Sequence, residues 1–170
     1  YWRKPPTRSR KNNSRLIEIP SGKTIGEPSI SDVGKSQTAI SPGGKYLSVL
    51  RLESSFGKRT PEIQTYDLEN NKELPTLKGP QFDLFSADAD GLAFSPDGRQ
   101  LAAVVTAHEK GRIFLWNFES GKLVHDITLS NEFDRFTEIT RFGDSVQPGM
   151  GWFPDQERLL IKGHGVVDIS

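Results

Sequence analysis

Ala93-Phe-Ser-Pro-Asp-Gly-Arg-Gln-Leu-Ala-Ala-Val104 decides the fold, because its pattern occurs three times in the chain. Ala39-Ile-Ser-Pro-Gly-Gly-Lys-Tyr-Leu-Ser-Val-Leu50 comes before it, and Gly151-Trp-Phe-Pro-Asp-Gln-Glu-Arg-Leu-Leu-Ile161 after it. A second phrase alternates with the first: Leu16-Ile-Glu-Ile-Pro-Ser-Gly-Lys23, Thr65-Tyr-Asp-Leu-Glu-Asn-Asn-Lys72 and Leu115-Trp-Asn-Phe-Glu-Ser-Gly-Lys122. Val166-Val-Asp-Ile-Ser170 begins it once more. Its acid or amide falls at Glu18, Asp67, Asn117 and Asp168, spaced by 49, 50 and 51 residues. Two linked phrases at so regular a period define a structural repeat.

Each repeat reads as strands. Ala93-Phe94-Ser95 ends one strand, and Pro96-Asp97-Gly98 supplies turn chemistry, with φ fixed at Pro and a bend tolerated at Asp and Gly. Leu101–Val105 is a short apolar run of the kind a buried strand needs. Arg112–Phe118 is rich in aromatic and β-branched residues, and Ser120-Gly121 turns the chain into Leu123–Thr128. No window carries a sustained 3.6-residue apolar period, so the expected fold is all-β. Four antiparallel strands in about 50 residues is the size of one β-propeller blade.

Phe94-Ser95-Pro96-Asp97-Gly98 and Leu115-Trp116-Asn117-Phe118-Glu119-Ser120-Gly121-Lys122 resemble the two most recognisable phrases of WD-repeat β-propellers, in a divergent bacterial form. The repeats are also similar to those of TolB-type propellers, which share the Ser-Pro-Asp-Gly turn. The resemblance covers Leu16 to Ser170 and implies a non-catalytic interaction domain. The family's Trp-Asp pair is replaced by Ile17-Glu18, Tyr66-Asp67, Trp116-Asn117 and Val167-Asp168, and no Gly-His dipeptide precedes a first strand. The hydrogen-bonded His/Asp/Trp set of the standard repeat is therefore not carried over.

The expected organisation is a basic arm or linker over 1–15 and a propeller segment over 16–170. Within the segment, 16–25 gives the last strand of one blade, 37–77 and 89–128 are whole blades, and 148–170 is a partial one. About three blades make an incomplete ring, since closure takes roughly four to eight. The expectation is a piece of a longer polypeptide that continues at both ends.

The 170 residues balance 22 Lys and Arg against 22 Asp and Glu. Residues 1–15 hold six of the bases (Arg3, Lys4, Arg8, Arg10, Lys11 and Arg15) and no acid. The other 155 residues then carry 16 bases against 22 acids, a net of −6, which argues against a wide nucleic-acid surface. The arm reads as a tail; a phosphate-binding arm predicts steeply salt-dependent binding. Tyr1-Trp2 before Arg3-Lys4 has the order of an interfacial aromatic pair and a basic anchor, which leaves room for a membrane anchor upstream. No run approaches the roughly 18 apolar residues of a membrane span. No targeting signal is visible, and the compartment stays open.

Function is sought on one face. In a meander of strands a to d, the a–b and c–d turns share one edge, and the b–c and d–a loops the other. The a–b and c–d turns are short; the long segments Arg51–Glu62, Lys78–Asp90 and Ser130–Pro148 all fall on the opposite edge. Insertions confined to one face mark a binding surface, and aromatic residues mixed with arginine suit a protein interface. The candidate partner-binding residues are Arg51, Phe56, Lys58, Arg59, Phe82, Phe85, Phe133, Arg135 and Phe136. The competing structural reading is that the phenylalanines pack these segments onto the blades.

Chemical motifs fail. With no cysteine, disulfides, thiolate metal sites and cysteine nucleophiles are excluded. Ser21-Gly22-Lys23-Thr24 ends like a phosphate loop, but Ile17 stands where that loop needs its first glycine. Ser86-Ala-Asp88-Ala-Asp90-Gly91 mimics a calcium loop, yet Pro96 and a strand fall inside it, so a solvated d–a loop is the simpler reading. His108, His125 and His164 have no paired zinc spacing, and no Gly-x-Ser-x-Gly elbow occurs. No cofactor or metal is expected, and no enzyme. The leading expectation is a non-enzymatic scaffold for a protein or peptide partner. The alternative is the non-catalytic propeller of a larger peptidase or kinase.

Overall fold

The computed structural model describes residues 16–17, 21–26, 36–82, 87–107, 110–129, 150–161 and 165–169. The chain divides into two compact units, Tyr1–Gly34 and Lys35–Ser170. In the first, β1 (Leu16–Ile17) pairs antiparallel with β2 (Thr24–Gly26).

The second unit holds three antiparallel sheets. β3 (Gln37–Ile40), β4 (Tyr46–Ser55), β5 (Lys58–Asp67) and β6 (Lys72–Glu73) follow one another across the first, and β7 (Leu77–Lys78) also pairs with β5. β8 (Ala87–Phe94), β9 (Gln100–Ala107), β10 (Lys110–Asn117) and β11 (Leu123–Thr128) form the second as a meander. β12 (Met150–Trp152), β13 (Arg158–Ile161) and β14 (Gly165–Asp168) form the third. No helix occurs among the described residues.

The outer strand of the first sheet comes in two pieces because Pro75 has no N–H to give the ladder. Gln64 bridges the gap with its side chain: its Nε2 donates to the Leu74 carbonyl at 3.0 Å, and its Oε1 accepts from the Thr76 hydroxyl at 2.8 Å.

The repeated phrases are the turns. Ser95 Oγ donates to Asp97 at 2.7 Å and accepts the Gln100 N–H at 2.9 Å, and Asp97 accepts the Arg99 N–H at 3.0 Å. Ser41 accepts the Tyr46 N–H in the same way at 2.9 Å. In the third copy Phe153 replaces the serine, and Gln156, at φ 63°, stands where Gly44 and Gly98 stand. The acid or amide of the second phrase closes the next turn on the same edge. Asp67 accepts the N–H groups of Glu69 and Asn70, and Asn117 Oδ1 accepts from Ser120 N–H at 2.9 Å and Ser120 Oγ at 2.8 Å. One backbone bond joins these two turns in every sheet: Leu68 N–H to Lys45, Phe118 N–H to Arg99 and Ile169 N–H to Glu157, each 2.8 Å.

Two cores lie between the sheets. Leu50, Ile63 and Leu77 of the first sheet meet Leu101, Ala103, Val105, Phe114 and Trp116 of the second. On the other side of the second sheet, Ala102, Val104, Ile113 and Leu115 meet Leu159, Ile161 and Ile169. Period-two alternation therefore buries β9 and β10 on both faces, which is why Leu101–Val105 carries no polar residue. The first strands of adjacent sheets are also tied. Gln37 Nε2 donates to the Ala89 carbonyl at 3.0 Å, and Trp152 Nε1 to that of Ala93 at 3.1 Å.

Ala87–Asp90 departs from expectation. Read as a solvated loop, it instead opens β8, with Ala87 opposite Ala107 and a bulge between Ala89 and Gly91. The bulge absorbs Asp90 as an extra residue and lets Ala87 reach the core.

Candidate partner-binding face

Arg51–Glu62 is not a loop. β4 and β5 stay in register from Tyr46↔Asp67 out to Ser55↔Lys58, leaving Phe56 and Gly57 as a two-residue turn. Both have positive φ, 49° and 77°, as a connection matched to strand twist requires. Glycine occupies that region freely. A bulky phenylalanine does so at a cost of roughly 1–2 kcal/mol, and asparagine is the usual occupant. The sequence hid this turn because phenylalanine is no turn former. Phe56 gains no packing in return, being 103% exposed. Ser54, Ser55 and Lys58 beside it are exposed too.

The remaining candidates divide. Lys58 opens β5 at the surface, while Arg59 is half-buried and exchanges two 3.0 Å backbone bonds with Phe82. With Gly79 N–H donating to the Pro61 carbonyl at 2.9 Å, this clamps residues 79–82 along β5 and stiffens the hairpin. Arg51 is half-buried and turned toward Tyr66. Burial pushes the Tyr66 phenol up, Glu73 adds to the effect, and Arg51 opposes it.

Phe82 is no surface residue. It belongs to the core, its ring stacked at 6.3 Å on Phe114 and 5.7 Å beneath the Arg112 guanidinium, so here the packing reading wins. Arg112, which sequence reasoning did not single out, is held by Asp126 on the neighbouring strand. A diagonal opposite-charge pair on adjacent strands was the available signal. Phe85, Phe133, Arg135 and Phe136 lie outside the described residues.

The acids of the would-be calcium loop do not converge. Asp88 is exposed on β8, Asp97 is engaged in its own turn, and Asp90 accepts a hydrogen bond from the Thr106 hydroxyl. Burial pushes the Asp90 carboxyl up to about 6, with the Thr106 bond opposing and Asp88 reinforcing the shift. In the turns the opposite holds. Asn70 holds Asp67 low, Ser95 and the Arg99 N–H hold Asp97 low, and the Glu157 N–H and Arg158 hold Asp155 low. Among the described residues no three His, Asp or Glu side chains group as metal ligands, and no helix could cross a membrane.

No protein-family model matches the chain, and no curated protein matches it by sequence. Solved structures do. KlAtg21, in its complex with the coiled coil of AgAtg16, is similar at a TM-score of 0.52 and 13% identity, over 89% of this chain and 44% of that one. The WD40 repeats of RRP9 give 0.49 at 15% identity, over 89% and 43%. The β-propeller domain of Myceliophteria thermophila Cps50 (Swd1) gives 0.48 at 16%, over 75% and 31%. The chain spans less than half the length of each of these structures. Meanders repeated along the chain, stacked sheet on sheet and tied at their first strands, give it the fold of consecutive β-propeller blades, similar to those of the propeller structures it matches.

Proposed function

We propose that the chain is a non-enzymatic interaction scaffold that takes a protein or peptide partner on the face carrying the Phe56 hairpin. The observation that carries this reading is Phe56 itself, a fully exposed aromatic ring in a left-handed backbone conformation where asparagine would cost less. Bases without acids fill Ser54–Thr60, so an apolar contact ringed by carboxylates on the partner fits it. The opposite edge offers less, because its turn acids are engaged by their own turns. KlAtg21 stands in its structure with a coiled coil, which accords with a partner of this kind.

The test is Phe56→Asn. It restores an Asn-Gly turn and is expected to raise stability by about 0.5–1 kcal/mol. Partners are first identified by cross-linking in the source cell and then measured against the purified protein. Loss of binding in a more stable variant supports the reading. Full affinity in Phe56→Asn, and in Lys58→Ser with Arg59→Ser, overturns it.

A further inference from the structure

The hairpin that ends in Phe56 has two edges, and described residues cover only one of them. Ser41 N–H donates to the Tyr46 carbonyl at 2.9 Å, and Leu68 N–H to that of Lys45 at 2.8 Å. These two bonds set the phase of the ladder: even-numbered residues of β4 turn their N–H and C=O groups toward β3, odd-numbered ones toward β5. β3 reaches only to Gln37, opposite Leu50. Past that point no described residue pairs with β4 on this side, so the N–H and C=O groups of Leu52 and Ser54 face outward along an open edge. On the far edge, Arg59 and Pro61 are already engaged by Phe82 and Gly79. Leu52 is half-buried and Ser54 exposed.

We propose that the partner presents an extended acidic peptide segment, which adds a strand to β4 at Leu52–Ser54 on the line that β3 leaves at Gln37. This rests on the reading that the Phe56 hairpin is the binding place, and it says how the partner is held. An open edge is a template for strand addition, and no proline or lysine between Leu52 and Ser55 blunts this one. The register supplies the specificity. Ser54 stands opposite Arg59, and its small side chain lets the guanidinium reach across to the added strand, about 10 Å from the Arg59 backbone. The peptide residue beside Ser54 is therefore Asp or Glu. Leu52 lies on the same face two residues back, packed at the margin of the core, so the peptide residue beside it is apolar. Glu53, Ser55 and Lys58 share the other face, where acid and base offset each other. The exposed ring of Phe56 meets the segment just beyond the acid.

The probe is a display library of random short peptides, panned on the 170-residue chain. Enriched peptides are expected to carry an apolar residue and a carboxylate at alternate positions, with no proline between them. With the best of these as a synthetic peptide, amide exchange of Leu52 and Ser54, fast in the free chain, is expected to slow about tenfold or more. Ser54→Pro removes the edge donor without touching the β4–β5 ladder. It should weaken the same peptide about tenfold or more while the melting temperature shifts little. The exchange readout uses the unaltered chain and stands even where the proline variant misfolds. Replacing the peptide carboxylate by its amide should weaken binding to the wild type but not to Arg59→Ser. Absence of any enriched peptide, protection of Leu52 and Ser54 already in the free chain, or full affinity in Ser54→Pro each overturns strand addition. The cross-linked partner separates this failure from that of the site. Its loss in Phe56→Asn with full affinity in Ser54→Pro removes strand addition alone. Full affinity in Phe56→Asn, and in Lys58→Ser with Arg59→Ser, removes the site as well.

Discussion

The indole N–H of Trp152 donates to the backbone carbonyl of Ala93 at 3.1 Å, so the first strand of the third sheet is held on the first strand of the second by a side chain rather than a ladder. Trp152→Phe keeps most of the ring and removes the donor. We expect a loss of about 1 kcal/mol, seen as a lower urea midpoint. A midpoint equal to wild type would show that the bond contributes nothing.

Asp90 predicts a specific pH response. Its folded-state carboxyl, raised to about 6 by burial, binds its proton more tightly than in the unfolded chain, where a carboxyl titrates near about 3.9. The group's contribution is therefore most favourable below about pH 4 and is lost as pH rises through about 6. Asp90→Asn is expected to be more stable than wild type at pH 7.5 by roughly 2 kcal/mol, with the difference shrinking toward pH 4. Denaturant melts of both proteins at pH 4.5, 6 and 7.5 measure this; a difference independent of pH contradicts it.

Trp116 is fully buried and its indole N–H has no hydrogen-bond partner among the described residues. An unpaired buried donor costs about 1–3 kcal/mol, which offsets much of the packing a smaller ring forfeits. Trp116→Phe should therefore change stability by less than about 1 kcal/mol, whereas Trp116→Ala, which empties the site, should cost about 3–5 kcal/mol. Urea midpoints for the pair decide it, and similar losses in both would mean that the N–H is satisfied in solution.

Asn117 closes its turn through one oxygen, and Asp67 does the same work in the first sheet. Asn117→Asp should be tolerated within a few tenths of a kcal/mol, while Asn117→Ala should cost about 1 kcal/mol. Thermal melts compare them. Equal loss in both would show that the amide nitrogen, not the oxygen, is what matters.

The fold was legible because the turns repeat: proline, acid and glycine at fixed offsets announce bends, and the apolar runs between them announce strands. Leu101–Val105 was readable as buried for the same reason. What failed was any feature set by pairing rather than by local chemistry. Phe56-Gly57 looks like the middle of a loop until the register of β4 and β5 carries both strands past it. Asp88 and Asp90 look like loop residues, because a bulge leaves no mark in composition. Phe82 looked like an interface residue for want of knowing that Phe114 lies beneath it. Of the candidate residues, Phe56 lies exposed at the tip of the β4–β5 hairpin. The acids at Asp67 and Asn117 prove to be turn closures rather than parts of a wider hydrogen-bonded set.

Burial of β9 and β10 on both faces makes the second sheet the keystone of the Lys35–Ser170 unit, since among the described residues it has a share in both cores. Cooperativity must then pass through it as through the middle member of a linear array. Amide hydrogens of Leu101–Val105 should exchange with solvent only when both neighbouring sheets let go. Those of the third sheet, whose Leu160 and Val166 are each 49% exposed in this chain, should exchange at a fraction of that free energy.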